Sequence, residues 1–372
     1  MCNKLISIVK KDVVLTVAAV LALVSCFVVP PDGKYLSYID WNTLILLFCL
    51  MLIVGGLRAE GVFESIGHKL LGRVRTARGV VLTLVGLCFF SSMFITNDVA
   101  LITFVPFGIF LLETAGLSSR LCLAVTLMTI AGNLGSMVTP MGNPQNLYLY
   151  SISGLGLGDF LLLLLPYGAA AGVLLAASTV VRFPAKAVTV PAKTLPALRM
   201  RYVLAYLALF ALCLLTVAGV LSKPVVLVIV ALAVLVLDRH LFRRVDYALL
   251  VTFVCFFVFV GNIKRLEELQ VFLSGALAGR ELPLSVLISQ VISNVPAAIL
   301  LSNYTENIPA LLIGTNLGGL GTLIASMASL ISWKQIAAKD AALKKPYFRT
   351  FTLWNVGFLI VLYLFSCLLR AV

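Results

Sequence analysis

Charged residues are scarce in this sequence: Asp, Glu, Lys and Arg make up 12% of the 372 residues, whereas about 25% is usual for a soluble domain. Hydrophobic residues account for 61%. Histidine is almost absent, with only His68 and His240, and no HExxH or GxSxG motif is found. These shortages exclude a soluble globular domain and argue against an enzyme. The composition predicts an all-α polytopic membrane protein.

Cysteine is present, but without the spacing that metal sites use. Most of the eight cysteines lie singly inside apolar runs, so we interpret them as small buried hydrophobic residues. No cofactor is expected apart from a possible sodium ion. Acidic residues are few, 15 against 28 Lys and Arg, which gives a net charge of +13. Because the positive charge lies in short loops between apolar runs, it reflects membrane topology and not nucleic-acid binding.

Eleven apolar stretches organise the chain, nine of them full crossings and two re-entrant hairpins. The first crossing continues through Cys26 of a sequence resembling a lipoprotein cleavage box, so we expect an uncleaved transmembrane helix. Two later crossings are broken, around 139–144 and 318–322, and interfacial helices are predicted at Gly61–Leu71 and Glu267–Ala278. The crossings are predicted at Val13–Val29, Trp41–Leu57, Leu121–Tyr150, Phe160–Val181, Tyr202–Leu221, Val225–Leu237, Tyr247–Ile263, Ile308–Trp333 and Phe351–Leu369.

Two further apolar stretches carry a polar break in the middle. Gly79–Leu112 contains Thr96-Asn97-Asp98, and Leu282–Ser302 contains Ser293-Asn294. The apolar arms on either side of the first break are about a dozen residues long, too short to span a bilayer one by one. We therefore predict two re-entrant hairpins whose unwound tips, at membrane depth, face a ligand or a water-filled cavity.

The basic residues test this arrangement, because cytoplasmic loops are enriched in Lys and Arg. With these spans, 22 of the 28 fall on one side of the membrane. We therefore expect a multi-pass protein of the cell inner or plasma membrane, with a cytoplasmic N-terminus and an external C-terminus. The 22 lie in the N-terminal arm, in 58–78, at Arg120, and in 182–201, 238–246 and 334–349. The others are Lys34, Lys223, Lys264, Arg265, Arg280 and, in the C-terminal tail, Arg370.

An internal repeat divides the chain. Asp40–Gly55 aligns without gaps with Asp246–Gly261, and Asn133-Leu134-Gly135 matches Asn316-Leu317-Gly318. The tips Thr96-Asn97 and Ser293-Asn294 match in the same order. Because the charges orient the two copies oppositely, they form inverted repeats, which indicate a transporter site near the midplane. Residues 1–40 are then an N-terminal transmembrane helix, 41–181 the first copy, 182–245 a linker with scaffold helices, and 246–372 the second copy.

The candidate site consists of polar residues at the tips and in the broken crossings. Asn carbonyls coordinate cations and Asn amides donate to anions, although the same residue types also cap helices. Glycines in the breaks either permit unwinding or serve close helix packing. The predicted substrate ligands are Asn97, Asn143, Asn146, Ser293, Asn294, Thr322 and Ser326, and the predicted cation or coupling ligands are Thr96, Asn97, Asp98, Asn133, Asn294 and Asn316.

Asp98 is the only acid that this topology places deep in the membrane. Ionisable groups there are costly and usually functional. Asp98 therefore binds a coupling cation or carries a proton, or else it caps the helix Val99–Leu111 without titrating. Val295 stands at the matching position of the second copy, so any acid function is one-sided.

From about Trp41 to the C-terminus, the arrangement resembles the ion transporter superfamily of divalent-anion/sodium symporters, citrate permeases, arsenite permeases and sodium/proton antiporters. The symporters carry Ser-Asn-Thr at each tip, where this chain has Thr96-Asn97-Asp98 and Ser293-Asn294-Val295. Their Thr-Pro-Pro-Asn-like turn is similar to Gly142-Asn143-Pro144-Gln145-Asn146, whereas 325–329 lacks the proline and asparagine. The first tip and the second turn look closer to arsenite permeases. The resemblance implies a scaffold domain and a transport domain that moves as an elevator, commonly in a homodimer.

We therefore expect a secondary active transporter of a small anion, an inorganic oxyanion or a carboxylate, coupled to sodium or protons. Arsenite or antimonite efflux, sodium/proton exchange, and a membrane protein that binds without transporting are the alternatives. The expected partners are the small anionic substrate, the coupling cation, the lipid bilayer and a second copy of the chain, without nucleic acid.

Overall fold

The computed structural model describes residues 13–188 and 197–371, and its regular elements within these ranges are helices. Lys4, Lys10, Lys11 and Lys193, counted above among the basic residues, lie outside the described residues. The α-helices of the described ranges are α1 (Val13–Val28), α2 (Tyr35–Tyr38), α3 (Trp41–Ala59), α4 (Val62–Leu71), α5 (Ala77–Ile95), α6 (Asn97–Thr114), α7 (Leu121–Ser136), α8 (Pro144–Ser153), α9 (Leu157–Arg182), α10 (Met200–Val217), α11 (Lys223–Asp238), α12 (Tyr247–Lys264), α13 (Glu267–Leu277), α14 (Glu281–Ile292), α15 (Asn294–Leu301), α16 (Ile308–Leu317), α17 (Met327–Lys339) and α18 (Lys344–Ala371).

The predicted all-α membrane fold is confirmed. Within the described residues, eight helices are long and apolar enough to cross a membrane, or up to nine if the bent pair α13 and α14 forms one span. Six of them, α3, α9, α10, α11, α12 and α18, match predicted unbroken crossings. The predicted crossing α1 has 16 residues and is one of the shorter apolar helices. Helices α4 and α13 are present where interfacial helices are predicted, with a bend of 114° between α13 and α14, and their interfacial position stays a prediction.

Matching residues begin matching helices in the two copies. Asp40 caps α3 by accepting from the amides of Asn42 and Thr43, and Asp246 caps α12 by accepting from the amide of Leu249. Aspartate is favoured at this position because its side chain satisfies amides that lack a partner within the helix. The repeat seen in the sequence is therefore repeated in local hydrogen bonding. The boundaries drawn at 41, 182 and 246 stay a prediction.

The first predicted hairpin is present, but its arms are longer than a dozen residues. Helix α5 has 19 residues and α6 has 18, so each is long enough by length and composition to cross. They nevertheless fold back on each other at Thr96. The close approach is seen where the side chain of Leu84 in α5 lies 3.4 Å from the place that a Cβ on Gly108 in α6 would occupy. The helices continue beyond the apolar core of each arm, and hydropathy alone therefore underestimated them. The second hairpin has short arms as predicted, with 12 residues in α14 and 8 in α15.

Both predicted helix breaks are confirmed, with somewhat different ends. The broken crossing predicted at Leu121–Tyr150 is interrupted between Ser136, where α7 ends, and Pro144, where α8 begins. The broken crossing predicted at Ile308–Trp333 is interrupted between Leu317 and Met327, so its non-helical segment extends several residues beyond the predicted 318–322. The extension has a physical reason: Gly318, Gly319 and Gly321 favour no helix there, and the following Ser326 starts α17.

Two glycines beside the breaks also serve close packing between helices. Gly135 lies inside α7, and a Cβ there would come 2.0 Å from the carbonyl oxygen of Phe89 on α5. Its repeat mate Gly318 has the same relation to α14, where a Cβ would lie 2.7 Å from the Cβ of Ser289. Only glycine permits these two contacts, and they hold each hairpin against its broken crossing.

Contacts between loops agree with the division of charges. The three ion pairs found among the described residues each join segments that the charges assign to one side. These are Glu60 with Arg199 at 2.9 Å and Glu113 with Lys339 at 2.7 Å on the basic side, and Asp32 with Arg265 at 2.8 Å on the other. An isolated bridge between Thr76 and Ala187 also joins two basic segments. The structure therefore brings together the loops that share a predicted side.

This arrangement predicts opposite accessibility for two exposed loop positions. In a cysteine-free version of the chain, Ala185→Cys should react with a membrane-impermeant maleimide only from the cytoplasm, and Glu306→Cys only from outside. The reason is the inverted orientation of the copies to which the two loops belong. The measurement is maleimide labelling of intact and of opened cells. Labelling of both cysteines from the same side would contradict the inverted topology.

Candidate functional site

Both hairpin tips hold a residue in a backbone conformation that normally requires glycine. Thr96 has φ 65° and ψ 148°, and Ser293 has φ 75° and ψ 155°. Among the described non-glycine residues, these two alone have positive φ. The two are repeat mates, so the same conformation recurs at the same place. Such residues cost about 1–3 kcal/mol each and cluster at functional sites, which marks the tips as a candidate site.

Each tip is bonded to the break of its own copy. The amide of Asn97 donates to the carbonyl of Gly142 at 3.0 Å, and the amide of Asn294 donates to the carbonyl of Ala325 at 3.0 Å. Gly142 and Ala325 stand directly before the residues that start α8 and α17. The pairing satisfies backbone groups that helix termini leave open within the membrane. It also fixes each tip at the level where its neighbouring crossing is interrupted.

A second pair of bonds ties the turns to the hairpins. The hydroxyl of Thr139 donates to the carbonyl of Met93, and that of Thr322 donates to the carbonyl of Gln290 at 3.1 Å. The threonines are repeat mates, and so are their acceptors. Thr322 is exposed and lies outside the cluster described next, so the structure does not bring this predicted ligand to the other site residues.

The two copies meet through side-chain amides of the broken crossings. The Oδ1 atom of Asn133 in α7 accepts from the hydroxyl of Ser326 at 3.0 Å, and its Nδ2 atom donates to the hydroxyl of Ser329 at 3.3 Å. Both serines belong to the second copy. Asn133 therefore holds the beginning of α17 against the end of α7.

The reverse contact is made by Asn316, the repeat mate of Asn133. Its Oδ1 atom accepts from Nδ2 of Asn143 at 3.0 Å, and its Nδ2 atom donates to Oδ1 of Asn146 at 2.6 Å. Asn143 and Asn146 are the repeat mates of the two serines. The exchange of contacts is reciprocal, as expected for copies related by a two-fold axis. We call these residues, together with Asn97, the amide cluster: Asn97, Asn133, Asn143, Asn146, Asn316, Ser326 and Ser329.

The tips join this cluster unequally. Asn97 donates from Nδ2 to Oδ1 of Asn133 at 3.1 Å. Asn294 lies beside the break as well, because a Cβ on Gly319 would be 2.8 Å from its Nδ2 atom. That nitrogen donates to no protein acceptor among the described residues, while Ser293 beside it donates weakly to the carbonyl of Ala325 at 3.4 Å. The second tip therefore has a free amide donor next to the cluster.

Four helix N-termini converge here. Helices α6 and α15 start at the tips, and α8 and α17 start at the breaks, where Asn143 accepts from the amide of Asn146. No basic side chain belongs to the cluster, so these ends and the amide groups supply its positive potential. The C-termini of α7 and α16 end beside them and supply carbonyl oxygens. The arrangement can hold an anion and a hard cation close together.

Asp98 lies in the first turn of α6, half-buried. Its amide donates to Oδ1 of Asn97 at 2.9 Å, and its carboxylate accepts no hydrogen bond from any described residue. It therefore does not act as the side-chain cap that the sequence left open. Its repeat mate Val295 is buried, 6% exposed, so the carboxylate has no counterpart in the second copy.

Most of the predicted residues are brought together. Asn97, Asn133, Asn143, Asn146, Asn316 and Ser326 belong to the cluster, and Thr96, Asp98, Ser293 and Asn294 lie at the tips beside it. Their roles as ligands stay predictions. Gln290 was missed: its Nε2 atom donates to the carbonyls of Gly318 and Leu320 at 2.9 and 3.0 Å, which organises the second break. Its position as a lone glutamine in an apolar arm was the available signal.

Comparison with known proteins identifies the family of this chain. A family model described as citrate transporter, CitMHS, matches residues 5–313, which is most of the chain. The chain belongs to this citrate transporter family. It is therefore a multi-pass membrane transporter, in agreement with the paired breaks and tips. The resemblance drawn from the tip and turn motifs is thereby confirmed at the level of the family.

Three relatives, one named as an inner membrane protein and two as transporters, are similar to this chain. The inner membrane protein YbiR of Escherichia coli is 34% identical over 317 residues, which cover 83% of each chain. The uncharacterized transporter MJ0456 of Methanocaldococcus jannaschii is 31% identical over 297 residues, 79% of this chain and 80% of its own. The silicon efflux transporter LSI3 of rice, Oryza sativa, is 32% identical over 139 residues, 37% of this chain and 28% of its own.

A solved structure supports the fold. The crystal structure of the YdaH transporter of Alcanivorax borkumensis, described as having an unusual topology, superposes with a TM-score of 0.51. The match covers 90% of this chain and 88% of that chain at 14% sequence identity. At this identity the likeness concerns the fold alone.

The backbone at the first tip leads to a prediction about stability. Thr96→Gly should raise the unfolding temperature of the purified protein, because glycine adopts this conformation without strain and Thr96 makes no side-chain hydrogen bond among the described residues. We expect a gain of about 1 kcal/mol, since ~1–3 kcal/mol of strain is offset by ~0.4–1 kcal/mol of unfolded-state entropy. Thermal unfolding in detergent measures it. Ser91→Gly, at a helical position of α5, is the matched control and should lower the temperature. Equal effects of the two changes would contradict the assignment of strain.

Proposed function

We propose that this family member is a secondary active transporter of a small anion, an inorganic oxyanion or a carboxylate, coupled to sodium or protons. The observation that carries the proposal is the reciprocal amide cluster, where four helix N-termini from both copies converge. Helix N-termini favour negative charge, and their amides point at the ligand. Because no lysine or arginine belongs to the cluster, the anion would depend on these dipoles, on amide donors and on a co-bound cation.

The free donor of Asn294 supports a role for the second tip in holding the anion. Its Nδ2 atom lies next to the cluster and has no protein acceptor among the described residues. Ser293, buried at the same tip, adds a hydroxyl. A substrate oxygen at this place could accept hydrogen bonds from both groups.

The coupling ion is proposed to act at the first tip. Asp98 has a half-buried carboxylate that accepts no hydrogen bond from the described residues, and Asn97 beside it links to the cluster through Asn133. An unpaired carboxylate at membrane depth is stabilised either by a cation or by a proton. Sodium and protons both meet this requirement. Coupling of anion transport to either ion and sodium/proton exchange therefore both assign the ion to Asp98.

Alternating access is proposed to occur by movement of one bundle against the rest. The bonds between Asn133 and Ser326 and between Asn143 and Asn316 join the two copies, so sliding one copy past the other would break them. Movement of the whole bundle of tips and breaks against α3 and α12 would preserve them. An elevator motion satisfies this condition, with the aromatic contact between Tyr148 and Phe257, at 5.5 Å, at its sliding surface.

Efflux of arsenite or antimonite is the second candidate. The observation that favours it is the absence of basic side chains from the amide cluster, which suits a neutral hydroxy acid as well as an anion. The silicon efflux transporter LSI3, which is similar to part of the chain, is named for efflux. Nothing in the described structure favours a protein that binds without transporting. The homodimer and the cytoplasmic N-terminus stay predictions.

Ligand-induced stabilisation tests the proposed function directly. The purified chain should show a higher unfolding temperature with one of citrate, sulfate, phosphate or arsenite, and sodium should strengthen the effect if it is the coupling ion, because a ligand stabilises the folded state by mass action. The stabilising compound is then followed by counterflow in proteoliposomes. Stabilisation without counterflow would favour the alternative of a protein that binds without transporting. The absence of both stabilisation and counterflow would contradict the proposal.

The tips lead to a prediction about transport of that compound. Asn97→Ala and Asn294→Ala should each reduce counterflow to background, since one change breaks the link to the cluster and the other removes the free donor. Asn303→Ala, at the end of the second hairpin and away from the cluster, is the matched control and should retain transport. Gel filtration checks that all three variants are folded. Near-normal counterflow by a tip variant would remove that residue from the site.

Asp98 leads to a prediction about coupling. Asp98→Asn keeps the size of the side chain but removes its charge, so uptake should lose its dependence on sodium or on pH, whereas counterflow of substrate should persist. Initial rates of uptake measured against sodium concentration and against pH distinguish the two ions. Asp159→Asn, at an exposed carboxylate in the first turn of α9, should leave both dependences unchanged. Wild-type dependence on both ions in Asp98→Asn would end the coupling role.

A further inference from the structure

Three arginines converge on one cavity, away from the amide cluster. The cavity has a volume of about 730 Å³ and is lined by Arg78 at the start of α5, Arg120 before α7 and Arg182 at the end of α9. Trp354 of α18 closes another side. Helices that belong to both copies therefore meet here, on the face of the molecule where the basic loops collect.

These arginines are held in place by groups that do not neutralise them. Arg78 donates from Nε to the carbonyl of Phe183 at 3.0 Å, and the guanidinium of Arg120 lies 5.9 Å from the centre of the Phe183 ring. Arg182 lies 5.8 Å from the centre of the Trp354 ring. None of the three forms an ion pair with a described residue. Three positive charges around one cavity whose lining contains no carboxylate favour an anionic ligand with several acceptor oxygens.

The cavity also opens towards the lipid. Val181 and Leu353 line it, and their side chains are 80% and 72% exposed. In a membrane protein, exposed apolar side chains of this kind contact lipid acyl chains. Trp354 on the same wall is typical of the boundary between headgroups and hydrocarbon. The ligand therefore meets charge at one end of the cavity and an acyl environment at the other.

We propose that this cavity binds an anionic phospholipid, with its phosphate held by Arg78, Arg120 and Arg182 and its acyl chains along Val181 and Leu353. Basic pockets between transmembrane helices suit such headgroups. A soluble phosphate ion would satisfy the arginines but would leave the apolar wall without a role. The bound lipid would join α9 and α18 to the turn before α7, next to the bundle that contains the amide cluster.

Quenching by brominated lipid tests the proposal in the full-length chain. The sequence has three tryptophans, so Trp41→Phe with Trp333→Phe leaves Trp354 as the sole tryptophan, which is excited selectively over tyrosine at long wavelength. The protein is reconstituted in phosphatidylcholine with a minor fraction of brominated phosphatidylglycerol, or in the same lipid mixture with the bromines on an equal mole fraction of phosphatidylcholine. Brominated phosphatidylglycerol should quench Trp354 more strongly. Equal quenching by the two lipids would overturn the proposal.

Charge variants locate the effect. Arg120→Gln with Arg182→Gln should weaken the apparent affinity for phosphatidylglycerol about 30-fold, which corresponds to ~1 kcal/mol for each of the two basic side chains. Arg243→Gln with Arg244→Gln removes the same charge from an exposed turn on the same face and should change nothing. Equal loss in both double variants would show diffuse attraction and overturn the site. Thr350→Glu, which adds a carboxylate to the cavity wall, should also weaken binding without removing an arginine.

A competition arm separates the lipid from a free ion. Inorganic phosphate or glycerol phosphate, added at constant ionic strength, should leave the quenching by brominated phosphatidylglycerol unchanged. Full displacement of the lipid by either compound would identify a soluble phosphate as the ligand and overturn the assignment to lipid.

Discussion

The structure depends on one constraint: a helix interrupted inside a membrane must find partners for its open backbone groups within the protein. The tip amides of Asn97 and Asn294 find them in the carbonyls of Gly142 and Ala325, at the same position in each copy. Each tip and its break therefore satisfy each other's open backbone groups, and a change in the conformation of one would leave a group of the other without a partner. The cluster of Asn133 and its repeat mate then extends this mutual dependence from one copy to the other.

Much of this arrangement was predictable from particular residues. A polar triplet around Asn97 inside an apolar run indicates a tip, because an unwound backbone at membrane depth must face a cavity or a protein partner. Glycine and proline near Asn143 indicate a break for the same reason. The matching of Asn133 with Asn316 indicated a repeat, and the uneven distribution of arginine and lysine indicated its inversion. The tip and break signals share one physical cause, the low polarity of the bilayer, and so each can be read locally along the chain.

Other features could not be predicted, because they depend on distances between parts of the chain that are far apart in sequence. The reciprocal exchange between Asn133 and Ser326 requires knowing that the two breaks face each other. The lengths of α5 and α6 were underestimated because helices continue past their apolar cores. Gln290 was overlooked because a single amide in an apolar arm has no meaning until the carbonyls of the second break are placed beside it.

The two copies share a frame but differ in chemistry, and this difference bears on function. A two-fold arrangement fixes where the tips and helix ends lie, so each copy offers the same backbone positions. The side chains at matching positions diverge. Asp98 in the first copy corresponds to Val295 in the second, and the side-chain amide of Asn146 corresponds to the hydroxyl of Ser329. At the first tip the carboxylate of Asp98 accepts no hydrogen bond from a described residue, while at the second the side-chain Nδ2 atom of Asn294 donates to none of them. An acceptor on one side and a donor on the other suit a cation and an anion respectively, so the asymmetry gives a physical reason for proposing two different ligands within one symmetric frame.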